Sequence, residues 1–185
     1  MDLSKLESGI FRVHLDDFVI KEMVEEVEEM FEFQCKQKNI MLFISVDPRL
    51  NCIVANSDRG RIKQVLLNLM TNSFKFTFEG HIMLNVCLVK WSGNEALEFS
   101  VSDTGIGIRL EDQDKLFKLF GLLSQNERIN PSGCGIGLTV SKRFIEALNR
   151  EIHLESTEGE GTKVTFTIPL VIAQKSEIFK VMENE

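Results

Sequence analysis

Two alternating runs separated by three residues set the first limit on this fold. G-H-I-M-L-N-V-C-L-V-K-W (80–91) and E-A-L-E-F-S-V-S-D (95–103) are joined only through S-G-N. Alternation of this kind bounded by turn residues predicts two antiparallel strands in a hairpin. A hairpin cannot stand alone in water and needs a second layer over its apolar face. Helical spacing elsewhere supplies that layer. Ile20, Met23, Val24, Val27, Met30 and Phe31 recur at helical intervals within 17–38, with glutamates filling the other face. A second helix is expected over 58–75, capped by Asp58, and a third over 137–149.

The remaining apolar runs complete the sheet. I-M-L-F-I-S-V before D-P-R reads as a buried strand, and C-I-V-A as a shorter one. E-I-H-L-E-S and G-T-K-V-T-F-T-I-P-L form a second strand pair around T-E-G-E-G, ended by Pro169. This order predicts an α/β two-layer sandwich: a mixed, mostly antiparallel sheet covered on one face by about three helices. The chain has 185 residues, 43% hydrophobic, enough for one domain with a real core. Residues 1–15 read as a helix end, stopped at Ser8-Gly9, and a linker. The domain proper is expected over 16–170, and a linker or tail over 171–185.

Charge and cysteine usage exclude several classes. The balance of 28 acidic against 21 basic residues gives −7, which argues against a nucleic-acid partner but not against a metal-bound nucleotide. Cys35, Cys52, Cys87 and Cys134 form no CxxC pair, the pattern of reduced thiols in a cytoplasmic protein. No run reaches membrane length and the N-terminus lacks a signal peptide's apolar region. No membrane contact by this piece is expected, although a longer parent could be anchored.

The second helix carries an anomaly. In R-I-K-Q-V-L-L-N-L-M-T-N-S-F-K-F-T, Gln64, Asn68, Asn72 and Lys75 interrupt an otherwise apolar pattern. With Gln64 at zero and about 100° per residue, Asn68 falls near about 40°, Asn72 about 80° and Lys75 about 20°. The four make one narrow stripe at the edge of the apolar face. Neutral amide oxygens there suit a hard cation that keeps other ligands, as magnesium does with phosphates, and Lys75 would meet a phosphate as a point charge. A plain polar edge of an amphipathic helix reads equally well from the stripe alone.

Two glycine clusters flank a long polar segment. D-T-G-I-G-I places Asp103 at a strand end, followed by Gly105 and Gly107; Ile106 and Ile108 offer apolar walls to a flat ligand. A carboxylate there can accept a hydrogen bond from an exocyclic amino group. G-C-G-I-G-L (Gly133, Gly135, Gly137, Leu138) runs into a helix start, where backbone N–H groups favour an anion. It is neither a Walker A loop nor a Rossmann fingerprint. Each cluster alone also fits a turn or a hinge.

Taken in order, the Asn-x-x-x-Asn-x-x-Lys helix, D-x-G-x-G, L-F-K-L-F, G-x-G-x-G-L and a closing G-x-G-T resemble the ATP-binding catalytic domain of sensor histidine kinases. That domain belongs to the superfamily shared with gyrase, Hsp90 and MutL, the GHKL or Bergerat fold. The resemblance covers about residues 16 to 170, and residues 2–9 are similar to the end of the family's second dimerisation helix. It implies that Asn68, Asn72 and Lys75, with Gln64 before them, hold Mg²⁺ and the phosphates of ATP. Asp103, Gly105 and Gly107 would hold adenine. Phe117 and Phe120 would belong to a mobile lid, and Gly133, Gly135 and Gly137 would hinge it and cradle phosphate. Thr162 stands where a Ser or Thr follows the last glycine. Arg128, in the lid, either reaches the γ-phosphate on closure or is a solvated loop residue.

The resemblance also implies a reaction. Hydrolytic members carry a Glu one turn before the asparagine matched by Asn72, and this chain has Asn68 there. An amide is no general base at neutral pH. The expected activity is therefore transfer of the γ-phosphoryl group to a histidine on a dimerisation domain, from which a response-regulator receiver domain takes it. The phosphoacceptor His-Glu/Asp box is absent, and the chain's histidines sit in R-V-H-L, G-H-I-M and E-I-H-L. That implies a catalytic fragment, monomeric by itself. A degenerate nucleotide-binding scaffold is the alternative, and a stand-alone ATPase is disfavoured by Asn68. Asn149-Arg150 departs from the family's usual Gly-Gly.

Overall fold

The computed structural model describes residues 13–113, 116 and 137–173. Its elements are β1 (Asp16–Val19), α1 (Ile20–Gln37), β2 (Met41–Val46), a 3-10 turn (Pro48–Leu50), β3 (Val54–Ser57) and α2 (Arg59–Phe76). They continue with β4 (His81–Trp91), β5 (Asn94–Asp103), α3 (Leu110–Gln113), α4 (Gly137–Ala147), β6 (Ile152–Thr157) and β7 (Gly161–Pro169). The helix end at 2–9, Phe117, Phe120, Arg128, Gly133, Cys134 and Gly135 lie outside the described residues.

Five strands form one sheet in the order β2-β4-β5-β7-β6. β2 runs parallel to β4, and every other pairing is antiparallel. Parallel neighbours need a long crossover, and here β3 and α2 provide it. The β4–β5 turn is as tight as the sequence implies. Ser92 and Gly93 both take positive φ (49° and 85°), the two-residue geometry that matches strand twist, and this fixes Trp91 opposite Asn94.

Alternation along the strands makes one core with the three long helices. Ile82, Leu84 and Val86 of β4, Leu97, Phe99 and Val101 of β5, and Val164, Phe166 and Ile168 of β7 are buried with Met23, Val27, Ile62, Leu66, Met70, Phe144 and Ile145 of the helices. Phe99 and Phe166 face each other across strands with rings stacked 5.0 Å apart. On the opposite sheet face, Met41, Phe43 and Met83 near the β2 edge are exposed among the described residues. The expected two-layer sandwich is what forms.

Boundary differences have local causes. The helix expected over 17–38 begins at Ile20, because Asp16–Val19 pairs with β3 in a separate two-stranded sheet. Beyond Pro169, Ile172 bridges Ala55, with hydrogen bonds from Asn56 N to Val171 O (2.7 Å) and Ala173 N to Val54 O (2.9 Å). β3 is thus flanked on both sides. α4 stops at Ala147, and Asn149 takes the left-handed conformation (φ 55°) that asparagine tolerates. The next residue, Arg150, lies 5.6 Å from the Trp91 ring centroid, so the departure at Asn149-Arg150 builds a cation–π contact to the hairpin end.

α2 is held against α1 along its length. Glu26 accepts from Lys63 at 2.6 Å and from Arg59, Phe31 meets Phe74 edge-on, and Lys38 sits 4.1 Å over the Phe74 ring. Truncating Phe166 at the centre of the sheet removes the stacked pair and leaves a cavity. Phe166→Ala is expected to lower unfolding free energy by about 3–5 kcal/mol, read from denaturant midpoints.

Candidate functional site

The polar stripe sits where the helical wheel puts it. Gln64, Asn68, Asn72 and Lys75 are all half-buried, while Val65, Leu66, Leu69 and Met70 between them are buried. Asp58 caps the helix, its Oδ1 accepting from Arg61 N at 2.9 Å, so the stripe starts from a fixed end. Gln64 Oε1 accepts from Arg61 Nη1 at 3.1 Å.

Asn68 meets the start of α4. Its Nδ2 donates to Ser141 Oγ at 3.2 Å, and a Cβ built on Gly137 would lie 2.1 Å from Asn68 Oδ1. A side chain at 137 would push the Asn68 amide out of this position. The first turn of α4, the positive end of its helix dipole, is thereby set beside the amide stripe. Leu138 is half-buried there and packs on the core.

The other end of the stripe meets Asp103. Ser73, one residue past Asn72, donates to Asp103 Oδ2 at 2.7 Å, and Gly105 N donates to Oδ1 at 3.0 Å. Burial pushes the Asp103 carboxyl above its ordinary value, against the pull of these two donors, the Thr162 backbone and His81. Ser73 was not among the sequence-based candidates. Its helical angle puts it in the apolar stripe, and only the tertiary structure reveals that it faces a carboxylate.

The glycines of D-T-G-I-G-I turn out to approach the protein's own backbone. A Cβ on Gly105 would stand 2.4 Å from Phe76 O, and one on Gly107 (φ 62°) would stand 1.9 Å from Thr157 O. The loop is stitched on both sides. Ile106 N donates to Phe76 O (3.1 Å), Gly159 N to Ile106 O (2.8 Å) and Ile108 N to Ser156 Oγ (2.9 Å). Thr162 lies opposite Asp103 in the β5–β7 ladder, its hydroxyl 2.9 Å from Ser156 Oγ. Ile106 and Ile108 stay half-buried. Gly105, Gly107 and Thr162 therefore fix the carboxylate's position, whatever else they touch.

Two outcomes are expected from this geometry. Asp103 has a raised folded pKa, so its charge costs stability once pH rises above the ordinary value of 3.8, and the cost persists at neutral pH. Asp103→Asn is expected to leave the ligand-free melting temperature at pH 7 unchanged or higher, since Ser73 can turn to accept from the amide. Gly107→Ala, by contrast, is expected to lower that melting temperature by several degrees, because Ala is strained at positive φ and blocked by Thr157 O.

Residues 57–172 match the sequence profile of the family described as histidine kinase-, DNA gyrase B- and HSP90-like ATPase. Among curated proteins, the chain is 32% identical over 177 residues to the autoinducer 2 sensor kinase/phosphatase LuxQ of Vibrio cholerae, covering 96% of this chain and 20% of that protein. It is 34% identical over 182 residues to hybrid signal transduction histidine kinase B of Dictyostelium discoideum, covering 98% of this chain and 9% of that one. It thus spans a fifth or less of these relatives. Among solved structures, full-length ShkA in complex with AMPPNP superposes with a TM-score of 0.77 at 25% identity, over 92% of this chain and 34% of that one. The nucleotide-free catalytic domain of histidine kinase ThkA gives 0.66 at 26%, over 85% and 96%. With the matched profile spanning most of its length, the chain belongs to the histidine kinase-, gyrase B- and HSP90-like ATPase family, as a sensor histidine kinase ATP-binding domain.

Proposed function

We propose that this domain binds Mg·ATP and transfers its γ-phosphoryl group to a histidine of a dimerisation domain, which then serves a response-regulator receiver domain. The observation that carries this reading is the span of α2. At one point it places Asn68 against the first turn of α4; five residues on, Ser73 holds Asp103. At about 1.5 Å per residue the two points lie about 7.5 Å apart along the axis, which suits a ligand with a base at one end and phosphates at the other.

Each residue then has a task. Asp103 accepts the exocyclic amino group of adenine, with Ile106 and Ile108 against the base. Gly137 and Leu138 open the helix whose N–H groups face phosphate. Lys75 adds a positive charge. The donor set suits magnesium: Asn68 and Asn72 offer neutral amide oxygens beside the phosphates, which would supply the other ligands. Bound there, the ion would neutralise phosphate charge. In the transfer the bond from γ-phosphorus to ADP breaks, and a bond to an unprotonated imidazole nitrogen forms. Asn68 offers no base to activate water in competition.

The reading extends to the residues outside the described set as an expectation. Phe117 and Phe120 would belong to a lid hinged by Gly133 and Gly135, and Arg128 would reach the γ-phosphate from it; Gln64, within the described set, would support the stripe. The acceptor histidine would come from another segment or chain, because His14, His81 and His153 lie before β1, in β4 and in β6. No helix among the described residues is long and apolar enough to cross a membrane. A cytoplasmic location is proposed from the use of ATP and a receiver domain alone.

The test supplies a histidine-bearing dimerisation domain and γ-labelled ATP. Acid-labile label on its histidine is expected, and Asn72→Ala should cut the labelling rate by about 10²-fold or more. A nucleotide-induced thermal shift without histidine label would mean a scaffold, and steady phosphate release without it would mean a hydrolase. The shift itself should reach about 2.7 kcal/mol of stabilisation at a hundredfold excess over Kd and vanish in Asp103→Asn.

A further inference from the structure

Asp58 serves two segments of chain at once. Its Oδ1 accepts from Arg61 N (2.9 Å) as the cap of α2, while its Oδ2 accepts from the backbone N–H of His14 (3.0 Å), forty-four residues away in sequence. Asp58 is 5% exposed and both bonds are part-buried; a hydrogen bond to a carboxylate is among the stronger ones. The His14 ring takes no part; it is exposed and contacts Asp16.

The surroundings extend the same connection. β1 runs antiparallel to β3 from Asp16↔Ser57 to Val19↔Val54, and β3 leads straight through Asp58 into α2. Asn56 donates its Nδ2 to Asp17 on one side and its backbone N–H to Val171 on the other. The segments through which the chain enters and leaves the domain thus both bond to the strand that feeds the nucleotide helix. α2 is a continuous helix from Arg59 to Phe76, so its first turn and the stripe at Asn68, Asn72 and Lys75 move together.

We propose that Asp58 is a positioning residue that couples docking of the lead-in segment, residues 13–19, to nucleotide binding on α2. A ligand that fixes α2 lowers the entropic cost of docking the lead-in, and by linkage a docked lead-in favours the ligand. The proposal rests on the nucleotide reading above and adds to it a route by which the chain preceding the domain senses the site. The link needs one acceptor oxygen on Asp58 and one N–H on residue 14, so each can be removed separately.

The experiment follows amide hydrogen exchange of residues 13–19 in the whole chain, with and without Mg·AMPPNP, together with the thermal shift. In wild type, saturating ligand is expected to slow exchange there by about fivefold or more. Asp58→Ser keeps a good helix cap but offers a single oxygen, and His14→Pro removes the donor without touching Asp58. In both, the ligand should still raise the melting temperature, and exchange at 13–15, ahead of the β1–β3 ladder, should no longer respond. His14→Ala, which keeps the N–H, should behave as wild type. The coupling is overturned if wild type shows a thermal shift but no change at 13–19, or if Asp58→Ser and His14→Pro respond as wild type does. Should Asp58→Ser fail to fold, His14→Pro against His14→Ala decides alone. No thermal shift in wild type at millimolar ligand would overturn the nucleotide reading and this proposal together.

Discussion

Parallel pairing of β2 with β4 is the constraint on which the rest of the structure depends. Two parallel neighbours cannot be joined by a tight turn, so the chain must leave the sheet edge, cross its face and return. The crossing contains α2, and a helix laid over a sheet buries one stripe and leaves another at its margin. In this chain the margin carries amides and a lysine where a simple covering helix would carry any polar residue. The site is a consequence of where the crossover has to run.

Much of this was legible from periodicity. The hairpin, the three long helices and the location of Gln64, Asn68, Asn72 and Lys75 at a half-buried edge all follow from spacing, because local pattern and tertiary burial agree there. What could not be read were contacts between distant segments. Ser73 has the angle of a core residue and the chemistry of a polar one, and nothing local says that Asp103 lies opposite. The start of α1 was misplaced by three residues since Asp17–Val19 has helical neighbours in sequence but a strand partner in space. The glycines of D-T-G-I-G-I were legible as close-approach positions, yet what approaches them is Phe76 O and Thr157 O.

Asp103 shows how the candidate site and the fold oppose each other. A carboxylate pushed up by burial is a cost to the fold, offset in part because Ser73, Gly105 and the Thr162 backbone donate to it. The surrounding backbone is correspondingly over-determined, with Gly105, Gly107 and Gly161 each pressed against main-chain atoms. That close backbone packing is what keeps the buried carboxylate in place.

The two faces of the sheet live under different rules. The helix-facing positions, from Ile82 to Ile168, interlock with three helices, and a change at any of them reaches the site through packing. The other face, with Met41, Phe43 and Met83 exposed beside Ser45 and His81, has no such partners among the described helices. Met41, Phe43 and Met83 can change in size and polarity while Asp103 and the stripe of α2 stay where they are, whereas His81 acts on the Asp103 charge. A domain used inside much longer proteins can therefore acquire a new exterior for each of them without renegotiating its interior.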